Sequence, residues 1–324
     1  MGPCIRMLNK YNILNNLVSS VFVSKIFTIV YNKTSMIYGI IDIGSNSIRL
    51  LLSNGKEAIE DKKVVRTQLA YNLANTGLLD DEAMSRTIKV IKELVEYAKE
   101  KGADYVWPFA TEAVRSAKNK DVFLGRLKDM GIYVDLIPAQ NEAKLGFAGA
   151  YYGGRVAVMD VGGASSEIAV GDENGLIYAK SIPIGIVKIK DVCAEDVVKA
   201  EEYIDSKIKD YGEIPSFDTL ISIGGTASSF AAIAMEMEIY DSKKVDFFKL
   251  TYEDIKNAVE RIRVLPMEDR GAVKGLSLKR RDVIVGGGIL IMKIMKKLNK
   301  DFLIVRESDN QEGYLQYKLG QLQM

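Results

Sequence analysis

The stretch that decides the fold is Ile40-Ile41-Asp42-Ile43-Gly44-Ser45-Asn46-Ser47-Ile48-Arg49-Leu50-Leu51-Leu52. Two apolar runs flank a short polar turn, and this pattern predicts a strand hairpin. Gly44 lets the backbone pass close to a ligand, and successive N–H groups in such a turn can form an anion-binding nest. Asp42, at the end of the first strand, is well placed to hold a metal ion or a water molecule.

The same pattern recurs in the second half of the chain, where residues 155–170 read RVAVMDVGGASSEIAV. Asp160 stands in the place of Asp42, and the glycine and serine that follow keep the same spacing. A third glycine turn reads Gly224-Gly225-Thr226-Ala227. The repeat predicts two similar domains whose turns face a shared ligand, because a cleft between domains is a favoured ligand site.

The composition restricts the chemistry that this chain can perform. Its 44 Lys and Arg residues balance 43 Asp and Glu residues, so no overall basic field indicates a nucleic-acid partner. Two cysteines provide no disulfide framework, which favours a reducing cytoplasm. The chain contains no histidine, which excludes Ser-His-Asp and Cys-His catalysis and histidine-ligated zinc. A general base must therefore be a carboxylate, a tuned lysine or tyrosine, or a metal-bound water.

With the two hairpins and the third turn, the sequence resembles the Ppx/GppA phosphatases, which are exopolyphosphatases and guanosine-pentaphosphate phosphohydrolases. The resemblance extends from about Met36 to the C-terminus. It implies an α/β fold of duplicated actin-like (ribonuclease H-like) domains, with a cleft between them. We expect domain I at 36–150 and domain II at 151–311, with a C-terminal helix at about 312–324 that packs back on domain I. Residues 1–35 are expected to be an N-terminal extension outside the fold.

The resemblance also implies two phosphate-binding turns. The first matches the family pattern DIGSNSIRL in full, and the second, DVGGASSE, departs from the pattern DIGGGSTE at Ala164 and Ser166. The implied phosphate ligands are Gly44, Ser45, Asn46, Ser47 and Arg49 in the first turn and Gly162, Gly163, Ser165 and Ser166 in the second. Arg115, in the segment ATEAVRSAKN, is implied as a further phosphate contact with a catalytic role. The resemblance places the family in the superfamily of actin, sugar kinases and heat-shock chaperone ATPases. The third turn, Gly224, Gly225 and Thr226, corresponds to the nucleoside site of that superfamily, or closes the cleft.

Four acidic residues are the implied centre of the chemistry. Glu142 lies in PAQNEAKL, where the family pattern is S-G-x-E-E-A-R-L, so Asn141 and Lys144 are departures. The resemblance makes Glu142 the base for an attacking water. Asp160 and Glu167 occupy the acidic positions of the second turn, and with Asp42 they are expected to hold Mg²⁺, which takes one or two carboxylates plus substrate oxygens.

We therefore expect a phosphoanhydride hydrolase that releases terminal phosphate from inorganic polyphosphate. Guanosine pentaphosphate is the alternative substrate. A sugar or acetate kinase of the same superfamily, or a non-enzymatic actin-like filament or nucleotide sensor, are the remaining alternatives. We expect neither a nucleic acid nor a membrane as partner, and a homodimer is left open.

Secondary structure is predicted along the whole implied fold. We expect strands to about residue 70 and at 105–110, 132–137, 156–182, 219–223 and 302–305. We expect helices at 80–101, 121–130, 141–151, 194–211 and 283–298. Further helices are expected to begin near Ala227, after a Thr251 cap, and after Gly313.

Overall fold

The computed structural model describes residues 36–324, so the predicted extension at 1–35 lies outside the described residues. Within 36–324 the chain folds into two sheets, one formed by the first half and one by the second. No helix in this part of the chain combines the length and apolar character needed to cross a membrane.

The first half is built on a five-stranded sheet of order β3-β2-β1-β4-β5. Its strands are β1 (Tyr38–Ile43), β2 (Ser47–Ser53), β3 (Lys63–Arg66), β4 (Tyr105–Ala110) and β5 (Asp135–Leu136). Its helices are α1 (Leu73–Thr76), α2 (Asp81–Glu100), α3 (Glu112–Ser116), α4 (Lys120–Lys128) and α5 (Ala139–Ala150). Strand β1 pairs antiparallel with β2 and parallel with β4, so the hairpin lies at the centre of the sheet.

The second half repeats this plan with a six-stranded sheet of order β10-β11-β9-β6-β7-β8. Its strands are β6 (Val156–Val161), β7 (Ser166–Asp172), β8 (Gly175–Ile182), β9 (Thr219–Ile223), β10 (Lys249–Thr251) and β11 (Phe302–Val305). Its helices are α6 (Ile186–Cys193), α7 (Val197–Lys207), α8 (Gly224–Ala234), α9 (Ser242–Val245), α10 (Tyr252–Arg263) and α11 (Ile284–Lys297). Helix α12 (Asn310–Lys318) follows the last strand. The predicted class, a duplicated α/β fold, is confirmed.

The two central hairpins share one register. In the first, Gly44 N donates to Ser47 O at 3.2 Å, and in the second Gly162 N donates to Ser165 O at 3.1 Å. The strand pairs match as well: Asp42 lies opposite Arg49, and Asp160 lies opposite Glu167. The sequence repeat is therefore a structural repeat, except that an arginine faces the aspartate in one copy and a glutamate faces it in the other.

Several predicted boundaries were wrong. Helix α6 was not predicted, because its β-branched residues have low helix propensity and tertiary packing overrides that preference. Helix α8 begins at Gly224 rather than near Ala227, and Gly224 itself has φ 82°, which favours glycine. The last helix begins at Asn310 and ends at Lys318, rather than spanning 312–324. Asp309 caps it in a capping box with Glu312.

Helix α5 contributes to the cores of both halves. Its Phe147 packs with residues of the second sheet, whereas Leu145 packs in a cluster with Ile40 of the first sheet and Tyr314 of α12. The predicted division of domains at residue 150 stays a prediction, and α5 joins the two sheets rather than belonging to one alone.

Helices α5 and α12 cross at glycines. A Cβ atom built on Gly149 would lie 1.9 Å from the carbonyl oxygen of Asp309, and one built on Gly313 would lie 2.0 Å from that of Leu145. Such distances leave no room for any side chain, because the neighbouring atoms belong to the backbone. The crossing sets the position of the segment that precedes α12.

We expect Gly149→Ala to destabilise the protein by about 3 kcal/mol, because the added methyl group must push two helix backbones apart. Gly125→Ala is the matched control: Gly125 lies within α4, and, apart from its chain neighbours and the backbone of its own helix, a Cβ atom built on it would meet no described atom within 4 Å. The control should gain up to about 1 kcal/mol from helix propensity. Denaturant unfolding of both variants measures this difference, and equal stabilities would contradict the tight crossing.

Candidate functional site

A cleft of about 660 Å³ lies where the two halves meet. The two hairpin turns form its floor, with Gly44 to Ser47 on one side and Gly162 to Ser165 on the other. The turns nearly touch, because a Cβ atom on Gly163 would lie 2.5 Å from Cβ of Ser45. The first turn of α8 and the segment before α12 complete the walls. The structure thus brings the three glycine turns together.

Arg49 is held between two carboxylates at the edge of the cleft. Its Nη2 donates to Asp42 Oδ2 at 2.5 Å, across the strand pair, and its Nη1 donates to Asp309. Both carboxylates are buried, and the two negative charges raise the pKa of the Arg49 guanidinium despite its own burial. Arg49 is thereby a fixed cation in the wall of the cleft.

Lys62 adds a second cation beside the first. Its Nζ lies 3.2 Å from Asp309 Oδ1 and 2.8 Å from Glu312 Oε2. Although burial acts in the opposite direction, Arg49 and Lys62 hold the pKa of Asp309 below its usual value. No motif in the sequence indicated Lys62 or Asp309, because their pairing joins residues that are far apart along the chain.

Glu142 lies in the first turn of α5 and lines the cleft. Its carboxylate Oε2 accepts from Arg115 Nη1 and Nη2, both at 3.2 Å. Burial raises the pKa of Glu142 to about 8, even though the charge of Arg115 lowers it, and the charge of Asp160 adds to the rise. A carboxylate with this pKa is suited to take a proton near neutral pH.

Asp160 lies at the end of β6 and also lines the cleft. Its Oδ2 accepts from Asn310 Nδ2 at 3.0 Å. A Cβ on Gly224 would lie 2.6 Å from its Oδ1, so α8 begins directly against this carboxylate. Burial raises the pKa of Asp160 to about 7, against the lowering effect of Arg49.

Glu167 does not line the cleft, although it was predicted as a metal ligand. It lies opposite Asp160 in the next strand, is almost fully buried, and accepts from Ser181 Oγ at 2.6 Å. Burial and the charge of Glu142 raise the pKa of Glu167 well above its usual value. Its predicted role as a ligand stays a prediction.

Arg115 does not line the cleft either. Besides Glu142 it contacts Glu112 Oε2 at 2.7 Å and the carbonyl oxygen of Ile137 at 2.5 Å. It therefore lies behind the predicted base, and its predicted role as a phosphate contact stays a prediction. Ser166 is buried under Tyr211, whose hydroxyl donates to Ser166 Oγ at 2.8 Å.

The cleft offers few carboxylate ligands for a magnesium ion. Residues 36–324 contain no group of three His, Cys, Asp or Glu side chains placed to hold a metal ion. Asp42 is engaged by Arg49 and Glu167 lies behind the wall, so Asp160 is the predicted ligand whose side chain lines the cleft without a paired cation. Magnesium accepts such a site, because substrate oxygens and waters can complete its shell.

Comparison with known proteins matches residues 54–322 to the Ppx/GppA phosphatase family. The bifunctional 3-dehydroquinate synthase/phosphatase of Fusobacterium nucleatum is 29% identical over 87% of this chain. The matched region covers 46% of the length of that protein. Exopolyphosphatase 2 of Mycobacterium tuberculosis is 26% identical over 84% of this chain and 95% of its own length. A solved Aquifex aeolicus member of the Ppx/GppA family is 30% identical, with TM-score 0.72, over 89% of this chain and 99% of that one.

We expect Asp309→Asn to lower the free energy of unfolding by about 3 kcal/mol at neutral pH, because two partly buried cations lose their shared, buried carboxylate. The pKa of Asp309 is depressed by folding, so its contribution is present above its unfolded pKa, about 4, and is lost as the pH falls through its folded pKa. The gap between wild type and variant should therefore shrink on acidification.

Urea unfolding of both proteins from pH 7 to pH 3 measures that gap. Asp301→Asn is the control, because Asp301 is exposed and should change the stability by less than about 0.5 kcal/mol. A gap that does not depend on pH would contradict the buried ion pair.

Proposed function

The chain belongs to the Ppx/GppA phosphatase family, and from this premise we propose that it is a phosphoanhydride hydrolase that releases the terminal phosphate of inorganic polyphosphate. The observation that supports this most is the pairing of two anion-binding turns with Glu142 in one cleft. Glu142 has a pKa raised to about 8, and the chain has no histidine to serve as base instead. The cleft would thus bring the substrate phosphates beside a carboxylate able to activate water.

In the proposed reaction Glu142 takes a proton from a water molecule whose oxygen attacks the terminal phosphorus. A new P–O bond forms while the bond from that phosphorus to the bridging oxygen breaks. The products are orthophosphate and a polyphosphate that is one unit shorter. Arg115 orients the Glu142 carboxylate and keeps its pKa from rising further.

The substrate phosphates would bind to the backbone N–H groups and hydroxyls of the two turns, Gly44 to Ser47 and Gly162 to Ser165. Arg49 supplies a cation beside them, fixed by Asp42 and Asp309. Phosphoryl transfer depends mainly on positioning and on charge stabilisation, so a preorganised cation is worth more there than a mobile one.

Magnesium is the proposed cofactor, with Asp160 as its protein ligand and substrate oxygens and waters completing the shell. When bound, the ion would supply positive charge against the phosphate oxygens. Asn310 holds one oxygen of Asp160, and this hydrogen bond would orient the carboxylate toward the cleft. A bound cation would favour the ionised form of Glu167, which lies behind Asp160 and whose pKa is raised well above its usual value.

Guanosine pentaphosphate is the alternative substrate, and the extent of the cleft favours it. Beyond the phosphate turns, the wall continues along Met237, Tyr240 and Gly275, which leaves space for an organic group.

The near-neutral charge of the chain and its sparse cysteines fit a cytoplasmic enzyme without a nucleic-acid or membrane partner. A homodimer is left open.

The test compares kcat/KM for polyphosphate and for guanosine pentaphosphate at one ionic strength, with and without Mg²⁺. We expect metal-dependent phosphate release, faster from polyphosphate, because a row of anion sites suffices for that substrate. Glu142→Gln is the control for the site and should lower kcat by a factor of about 10² to 10⁴.

A clear preference for guanosine pentaphosphate would overturn the polyphosphate assignment and leave the hydrolase standing. Phosphate transfer to an organic acceptor would indicate a kinase, and polymerisation on adding nucleotide would indicate a filament protein. A Glu142→Gln variant within a few-fold of the wild-type rate would remove Glu142 from the mechanism.

A further inference from the structure

Arg66, the last residue of β3, joins the first phosphate turn to the second half of the chain. Its Nε donates to Asn46 Oδ1 at 3.3 Å, and its Nη2 donates to both Asp282 oxygens, at 2.8 and 2.7 Å. Asp282 lies just before α11, far from Arg66 along the chain. One guanidinium therefore connects the turn to a carboxylate of the second half of the chain.

The chemistry of arginine decides which way the Asn46 amide faces. A guanidinium has only donors, so the amide atom that faces it must be the oxygen. The Asn46 nitrogen Nδ2 is then directed elsewhere, and it is buried without a hydrogen-bond partner among residues 36–324. The backbone of Asn46 is fixed too, because its carbonyl oxygen accepts from the N–H groups of Thr67 and Gln68.

A buried amide nitrogen without a partner is costly, so its retention needs a reason. Asn46 lines the cleft between the two turns, where the proposed substrate phosphates would lie. A phosphate oxygen is an acceptor and can satisfy Nδ2. If the amide were flipped, its oxygen would face the phosphate and repel it.

We propose that Arg66 is a positioning residue: by donating to Asn46 Oδ1 while Asp282 holds it, Arg66 keeps Asn46 Nδ2 free to donate to a substrate phosphate. The proposal rests on the proposed function, since it needs a phosphate in the cleft. It also ties that donor to the second half of the chain, because Asp282 holds Arg66 from there.

The test is a double-mutant cycle of Arg66→Gln and Asn46→Ala. Glutamine can donate or accept, so it no longer selects one amide orientation. Each single change should weaken binding of tripolyphosphate by about tenfold, the usual effect of losing a hydrogen bond to a charged group. The double variant should lose about tenfold rather than about a hundredfold, because both changes remove the same interaction.

Binding of tripolyphosphate is measured by calorimetry without added metal, so the result does not depend on turnover. Lys190→Gln is the matched control. Lys190 Nζ contacts Asp282 Oδ2, one of the two oxygens that Arg66 also contacts, at 2.5 Å, and Lys190 does not line the cleft. It removes one cation from Asp282 without touching the Asn46 amide. We expect binding by this variant to match wild type within about twofold.

Additive losses in the double variant, or tenfold weaker binding by Lys190→Gln, would overturn the proposal in favour of a purely structural bridge. Should Arg66→Gln fail to fold, Asp282→Asn replaces it in the cycle, since it leaves Arg66 present but frees it from its anchor. Additive losses of tripolyphosphate binding in that second cycle would likewise overturn the proposal. Wild-type protein that binds tripolyphosphate but does not hydrolyse it would contradict the proposed function alone.

Discussion

The ion pair between Arg49 and Asp309 is the contact on which the rest of the cleft depends. Arg49 comes from the hairpin of the first half, and Asp309 comes from the segment that follows the last strand of the second half. The next residue, Asn310, donates to Asp160, so one short segment orients a cation and a carboxylate together. The glycine crossing of α5 and α12 fixes that segment, and α5 also presents Glu142. A helix placed slightly farther away would disturb Arg49, Asp160 and Glu142 at once.

The duplicated hairpins show how one backbone plan supports two electrostatic roles. In the first copy Asp42 faces Arg49, and the pair leaves a fixed cation at the cleft. In the second copy Asp160 faces Glu167; burial is the main cause that raises the pKa of both carboxylates, and nearby negative charges add to the rise. Because desolvation and like charge both disfavour ionisation, this half would gain from a cation. The first half provides a cation of its own, whereas the second half would need one from solution.

The sequence was enough to predict the two hairpins and their shared cleft, because their turn chemistry and apolar runs are local signals. Glu142 could be placed at the start of a helix, and the structure puts it in the wall of the cleft. Asp309 and Lys62 could not be found, since an ion pair between distant residues leaves no periodic or local trace. The position of Glu167 behind the cleft wall could not be predicted from the sequence either, because strand alternation does not say which face of the strand meets the cleft. Helix α6 was missed for a third reason: tertiary packing outweighed its poor intrinsic propensity.

The central claim is that Glu142 accepts the proton of the attacking water and that Arg115 lowers the pKa of the Glu142 carboxyl, which favours its ionised form. The pH dependence of kcat/KM for polyphosphate, compared between wild type and Arg115→Gln, tests this most directly. Protonated Glu142 cannot accept a proton, so wild-type activity should fall as the pH drops below about 8. Removing Arg115 removes a charge that lowers this pKa, so the acid limb of the variant should lie at higher pH. Ionisation of the shared substrate cancels in the comparison. Identical acid limbs in the two proteins would contradict the account.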